Sequence, residues 1–106
     1  MDDRRAVQRF DLKLPSRVMA VADEATYHLV TENVSSHGAL FHTKQPLESG
    51  TRVEVTMFLS IPGELGGSRQ SVIRSQGEVI RRGEGAMAVC FDQPGVLLAT
   101  ASGVPQ

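Results

Sequence analysis

Along this chain, apolar side chains recur at every second position in short runs, and Gly, Pro, Ser and acidic residues punctuate the runs. Period two is the signature of a half-buried strand. In "FDLKL", Phe10, Leu12 and Leu14 fall on one face, with Asp11 and Lys13 on the other. Pro15 restricts that strand to an edge or a bulge, after which it continues through Val18 to Val21. The polar turn "ADEA" leads into "TYHLVTENV", where Tyr27, Leu29 and Thr31 oppose His28, Val30 and Glu32. "SSHG" precedes a short run, "ALFHT", and "KQPLESG" connects it to the clearest alternation in the chain. That is "TRVEVTMFL", with Val53, Val55, Met57 and Leu59 on one face. "IPGELGGSRQ" reads as a loop, and "SVIRSQGEVIRR" as a long strand in which Gly77 marks a bend or bulge. "GEG" turns the chain into a last strand, "AMAVCF".

Six short strands at even spacing, with no amphipathic helix, predict an all-β fold. Open antiparallel sheets leave reactive edges, and closing six strands into an antiparallel barrel removes them. The tail "DQPGVLLATASGVPQ" holds a helical turn or a strand around Val96–Ala99, or serves as a linker.

Composition narrows the function classes. A chain of 106 residues forms one domain. No run approaches the roughly 18 apolar residues of a spanning helix, and no apolar stretch follows the charged N-terminus. With Cys90 as its one cysteine the chain has no internal disulfide, which fits a reducing cytoplasm, the expected location. A net charge of −1 and a single Tyr without Trp argue against DNA or RNA as partner. The basic residues are nonetheless mostly arginine, whose planar fork grips phosphates and guanine edges.

Catalysis finds little support. Ser35, Ser36 and His37 are adjacent, but neighbours in a turn point apart and no acidic residue stands at a telling spacing. His37 and His42 fall on opposite faces of a strand, and one cysteine leaves a zinc site without clustered ligands, so no metal is expected. Cys90 reads as a small buried hydrophobe. No phosphate-binding or dinucleotide glycine motif is present. Enzyme activity and a bound cofactor are therefore not expected.

Binding is better supported. The polar hexad Asn33 to Gly38 offers an amide that can read a base edge, hydroxyls that reach phosphate, and a glycine that admits close approach. A tight turn uses the same residues, so the hexad alone leaves both readings open. The N-terminal "DDRRAVQRFD" places Arg5 and Arg9 four apart. In a helical turn they share a face, and in an extended arm they project to one side about 13 Å apart.

Taken together and in this order, "RAVQR" (Arg5, Arg9) and "NVSSHG" (Asn33, Ser35, Gly38) resemble the RxxxR and (D/N)xSxxG motifs of the PilZ domain family, bacterial receptors for cyclic di-GMP. The likeness extends over roughly residues 4–92. His37 stands where the family often has a small residue, and the closing helix is short or missing. The resemblance implies a flexible N-terminal arm at 1–9, a six-stranded antiparallel PilZ-type barrel at 10–92 and a C-terminal tail at 93–106. It implies that Arg5 and Arg9 hold guanines and phosphates, that Asn33 and Ser35 bond the opposite guanine and phosphate, and that Gly38 allows close approach. An arginine before the pair, here Arg4, is associated in the family with two intercalated ligands. The arm, with a net charge of +1 from Arg4, Arg5 and Arg9 against Asp2 and Asp3, is expected to order on binding and to signal to a protein partner or fused domain. The rival is a PilZ-like adaptor that binds protein and no nucleotide. No membrane insertion is expected.

Overall fold

The computed structural model describes residues 9–62, 67–93 and 97–98, and within them the alternating runs become strands. They are β1 (Pro15–Ala20), β2 (Thr26–Ser35), β3 (Gly38–His42), β4 (Arg52–Pro62), β5 (Ser68–Gly83), β6 (Ala86–Phe91) and a two-residue β7 (Leu97–Leu98). The first six pair antiparallel in the order β4-β1-β2-β3-β6-β5, and a β4–β5 ladder closes them into a barrel. The described residues contain no helix.

Chain order divides the barrel into two three-stranded meanders, β1-β2-β3 and β4-β5-β6. Two seams join them, one from β1 to β4 (Val18 opposite Val55) and one from β3 to β6 (Phe41 opposite Met87). The inward faces supply the core. Val18, Phe41, Val53, Val55, Met57 and Val79 are fully buried, with Leu14, Val34, Met87, Val89 and Phe91 around them. Each such side chain removed from water contributes about 1.5–3 kcal/mol before entropy is counted.

Two strands break the alternation. The β2–β3 register shifts between Thr31 and Asn33, so Glu32 is an extra residue. Unbroken, the alternation would carry Asn33 inward with buried Thr31; instead Val34 turns inward, and Asn33 and Ser35 face out. The β5–β6 register shifts between Val79 and Arg81, so Ile80 is extra, and Arg81 lies opposite Ala88 on the outer face.

The bulge in β5 is thus at Ile80 and not at Gly77. Gly77 is the point where β5 passes from β4 to β6, pairing with Val53 on one side and Phe91 on the other. A Cβ there would collide with the Cys90 carbonyl. The expected loop at 61–70 is also shorter than its glycine content implies. Ile61 pairs with Arg69 and Pro62 with Ser68, which leaves 63–66 outside the described residues.

"FDLKL" is not a strand. Phe10 makes a lone bridge to Val34, its N–H donating to the Val34 carbonyl (2.8 Å) and its carbonyl accepting from the Val34 N–H (2.9 Å). Pro15 then opens β1 opposite Val30. The two pairings differ in register by one residue, five steps from Phe10 to Pro15 against four from Val34 to Val30, so the extra residue lies on the 11–14 side and no regular ladder spans it. The Thr31 hydroxyl bridges the gap, accepting from the Leu14 N–H (2.8 Å) and donating to the Leu12 carbonyl (2.5 Å). Residues 10–14 are therefore moored to β2.

The β3–β4 connection crosses the barrel rather than extending a strand. Thr43 N–H donates to Gly85, Gly50 N–H to Val79, and Leu47 packs partly buried against the core. Gly50, at φ 94°, makes the turn into β4. In the tail, Leu97 and Leu98 pair with Ile73 and Val72, so the strand reading is the one realised at those two positions.

Candidate functional site

The bulges bring polar side chains onto an outer wall that alternation alone would have made ordinary. Across β2, β3, β6 and β5, the paired residues Asn33, Leu40, Ala88 and Arg81 form one outward row. The neighbouring row is Ser35, Gly38, Cys90 and Glu78. A cleft of about 650 Å³ lies over these rows, lined by Arg9, Asn33, Ser35, His37, Gly38, Leu40, Ile80, Arg81, Ala88 and Cys90 among others. Among the described residues its lining includes no carboxylate, and its charged members are Arg9 and Arg81.

Four of the six residues singled out in the sequence meet here: Arg9, Asn33, Ser35 and Gly38. Arg4 and Arg5 lie outside the described residues. Arg9 stands at the cleft because Phe10, its neighbour, is hydrogen-bonded to Val34 between Asn33 and Ser35. The mooring thus fixes Arg9 beside the polar hexad.

The hexad is also a working turn. The Ser35 hydroxyl accepts from the His37 N–H (3.1 Å), and the His37 carbonyl accepts from the Phe91 N–H (2.8 Å). The Ser35 hydroxyl also donates to the Gly38 carbonyl, but at 3.5 Å that bond is long, so a second lone pair and a readily redirected proton leave Ser35 capacity toward the cleft. Gly38 has a structural requirement of its own. Its backbone is not left-handed, but a Cβ would collide with the Val89 carbonyl across the β3–β6 seam.

Ser36 and His37 do meet, contrary to expectation, through a Ser36 Oγ–His37 Nδ1 hydrogen bond of 3.0 Å. Among the described residues, no carboxylate hydrogen-bonds to His37. Cys90 is exposed, not buried. Met87, Val89 and Phe91 take the inward positions of β6, which leaves Cys90 and Ala88 to the outer face.

Ion pairs brace the surroundings. Glu32, the bulge residue, accepts from Lys13 Nζ (3.0 Å), and its other oxygen lies 3.0 Å from His42 Nε2. The Lys13 hydrogen bond and charge hold the Glu32 carboxyl below its ordinary pKa. The Arg52 guanidinium forks onto both oxygens of Asp92, lowering that carboxyl and raising its own pKa. A larger groove, about 840 Å³, runs between the start of β2, residues 43–45 and Gly85, and contains no residue of either motif.

Arg81, Leu40 and Ile80 escape a motif reading. Their signal is the apolar pair "VI" before "RR". Strict alternation from Val79 would drive Arg81 into the core, an implausible place for an unpaired guanidinium. A bulge resolves the conflict, and "TENV" carries the same conflict in β2.

No helix among the described residues is long and apolar enough to cross a membrane. No curated protein matches the chain. The profile of the PilZ domain matches residues 3–96, nearly the whole length, and spans both motifs and the closed barrel that brings them together. The chain belongs to the PilZ domain family.

Proposed function

We propose that the chain is a cyclic di-GMP receptor in which the N-terminal arm closes over the cleft on binding and presents a changed surface to a partner protein or fused domain. The observation that carries this reading is the cleft itself: Arg9, Asn33, Ser35 and Gly38 line one cavity that, among the described residues, has no carboxylate in its lining. PilZ domains generally bind this ligand.

A dianionic dinucleotide suits such a lining. A guanidinium matches guanine O6 and N7 or two phosphate oxygens with two parallel hydrogen bonds. The Asn33 amide presents a donor and an acceptor to a purine edge, and Ser35 donates to phosphate. Leu40, Ala88 and Ile80, the last 54% exposed, give a purine face an apolar floor. Arg5 completes the pair with Arg9, and Arg4 holds a second, intercalated ligand. Ordering the arm offsets part of the contact energy, which leaves the switch reversible.

Titration calorimetry of the full chain with cyclic di-GMP, beside GTP and a short single-stranded oligonucleotide, tests the reading. Selective heat with cyclic di-GMP is expected, weakened by Arg5→Ala or Arg9→Ala at least about tenfold, or about 1.4 kcal/mol. Silence with all three ligands favours the nucleotide-free adaptor. One ligand per chain removes the role given to Arg4. Unchanged hydrogen-exchange protection of residues 2–11 on binding contradicts the arm switch.

A further inference from the structure

We propose that Arg81 is a ligand-gripping residue of the cleft, supplied from the wall opposite both motifs and responsible for holding the far end of a two-ended ligand. The proposal rests on the cyclic di-GMP reading above.

Three observations converge on it. The β5 bulge at Ile80 rotates Arg81 from the inward phase of Val79 to the outer row with Ala88, Leu40 and Asn33. Arg81 is exposed and lines the cleft, and among the described residues no carboxylate pairs with it. Its neighbour Arg82 falls in register with Met87, whose side chain faces inward, and sits 3.8 Å from Glu48, away from the cleft.

The span is informative. Asn33 and Arg81 are three inter-strand steps apart, about 14 Å between backbones. A single purine seated on Asn33 and Ser35 is much shorter than that, so Arg81 must be met by another group of the ligand. A ligand with two guanines and two phosphates reaches both walls. Arg9 and Arg81 then act as opposed clamps, and the second clamp favours the dinucleotide over its halves. The planar fork matters because both phosphate and guanine N7/O6 take it with two bonds, which an ammonium cannot copy.

The experiment is calorimetric titration of the full chain with cyclic di-GMP for wild type, Arg81→Ala, Arg81→Lys, Arg82→Ala and Arg9→Ala, with a thermal melt of each unliganded variant. Arg81→Ala is expected to weaken binding at least about tenfold, Arg81→Lys to recover only part of the loss, and Arg82→Ala to change it less than about twofold. The melts should agree, since both side chains are exposed. If Arg9→Ala weakens binding but Arg81→Ala does not, the proposal falls and the receptor reading stands. Equal losses for Arg81→Ala and Arg82→Ala also overturn it, since they reflect net charge alone. A wild type that does not bind removes both.

Discussion

The barrel wall has a regular side and an irregular one. The ladders joining β2, β1, β4 and β5 run without a register shift. Their outer face carries His28, Arg17, Thr56 and Arg74 in one row, with the Arg17 guanidinium 5.7 Å from the Phe58 ring centre. The side made by β2, β3, β6 and β5 has two bulges and two glycines pressed against neighbouring carbonyls. Both sides expose arginine. Only the irregular one gathers arginine, amide and hydroxyl into a cleft with an apolar floor. The difference shows what a bulge does: it changes which side chains face out without changing the strands that hold them.

If the irregularity is confined to the outer face, the core beneath the two sides should be equally sensitive. Phe41→Ala and Met57→Ala are both fully buried truncations and should cost about 3–5 and 2–5 kcal/mol in urea unfolding. A much cheaper Phe41 change would mean that the cleft side is loosely packed. Next come the pinched glycines. Gly38→Ala or Gly77→Ala forces two strands apart and should cost about 1–3 kcal/mol. Gly83→Ala, with open space at its Cβ, should lie within about 0.5 kcal/mol of wild type.

Smaller still is the contrast between arginines. Arg9→Ala should cost about 1.4 kcal/mol of cyclic di-GMP affinity, while Arg17→Ala, on the regular side, should change it less than about twofold. Equal effects would remove the distinction between the sides. The smallest expected effect is on pH dependence. Glu32 and Asp92 have carboxyl pKa values lowered by Lys13 and Arg52. Groups of that kind stabilise the fold above their unfolded pKa and lose the contribution as pH falls through the folded one. Glu32→Gln should therefore flatten the fall in denaturation midpoint between about pH 6 and about pH 3, slightly, because the pair is exposed.

The strands were legible because burial on one face imposes period two, and each of the six main ones overlaps a run that the alternation marks, although β1 begins only at Pro15. The motif residues were legible as types at a spacing. Their meeting was not, because it depends on an extra residue at Glu32 that pairing creates and no local pattern marks outright. The exposure of Cys90 follows phase rather than residue type, since its neighbours Val89 and Phe91 claim the inner face. Gly38 invited a ligand explanation, yet the Val89 carbonyl requires it first, a contact between strands that only the closed barrel reveals. "FDLKL" alternated well but met a partner strand out of step.

The division into two meanders has a consequence for how the chain acquires its site. Within each meander, strands pair with near neighbours in sequence and are expected to form before the β3–β6 seam, which joins distant segments. The cleft straddles that seam, with β2 and β3 supplying one flank and β5 and β6 the other. On the receptor reading proposed above, neither half carries the whole cleft, so the chain should acquire affinity for the messenger only once β6 is in place. A ligand seated there would act as a staple across the joint, adding about 2.7 kcal/mol at a hundred times its dissociation constant. Occupancy would then show as slower unfolding as well as a signal.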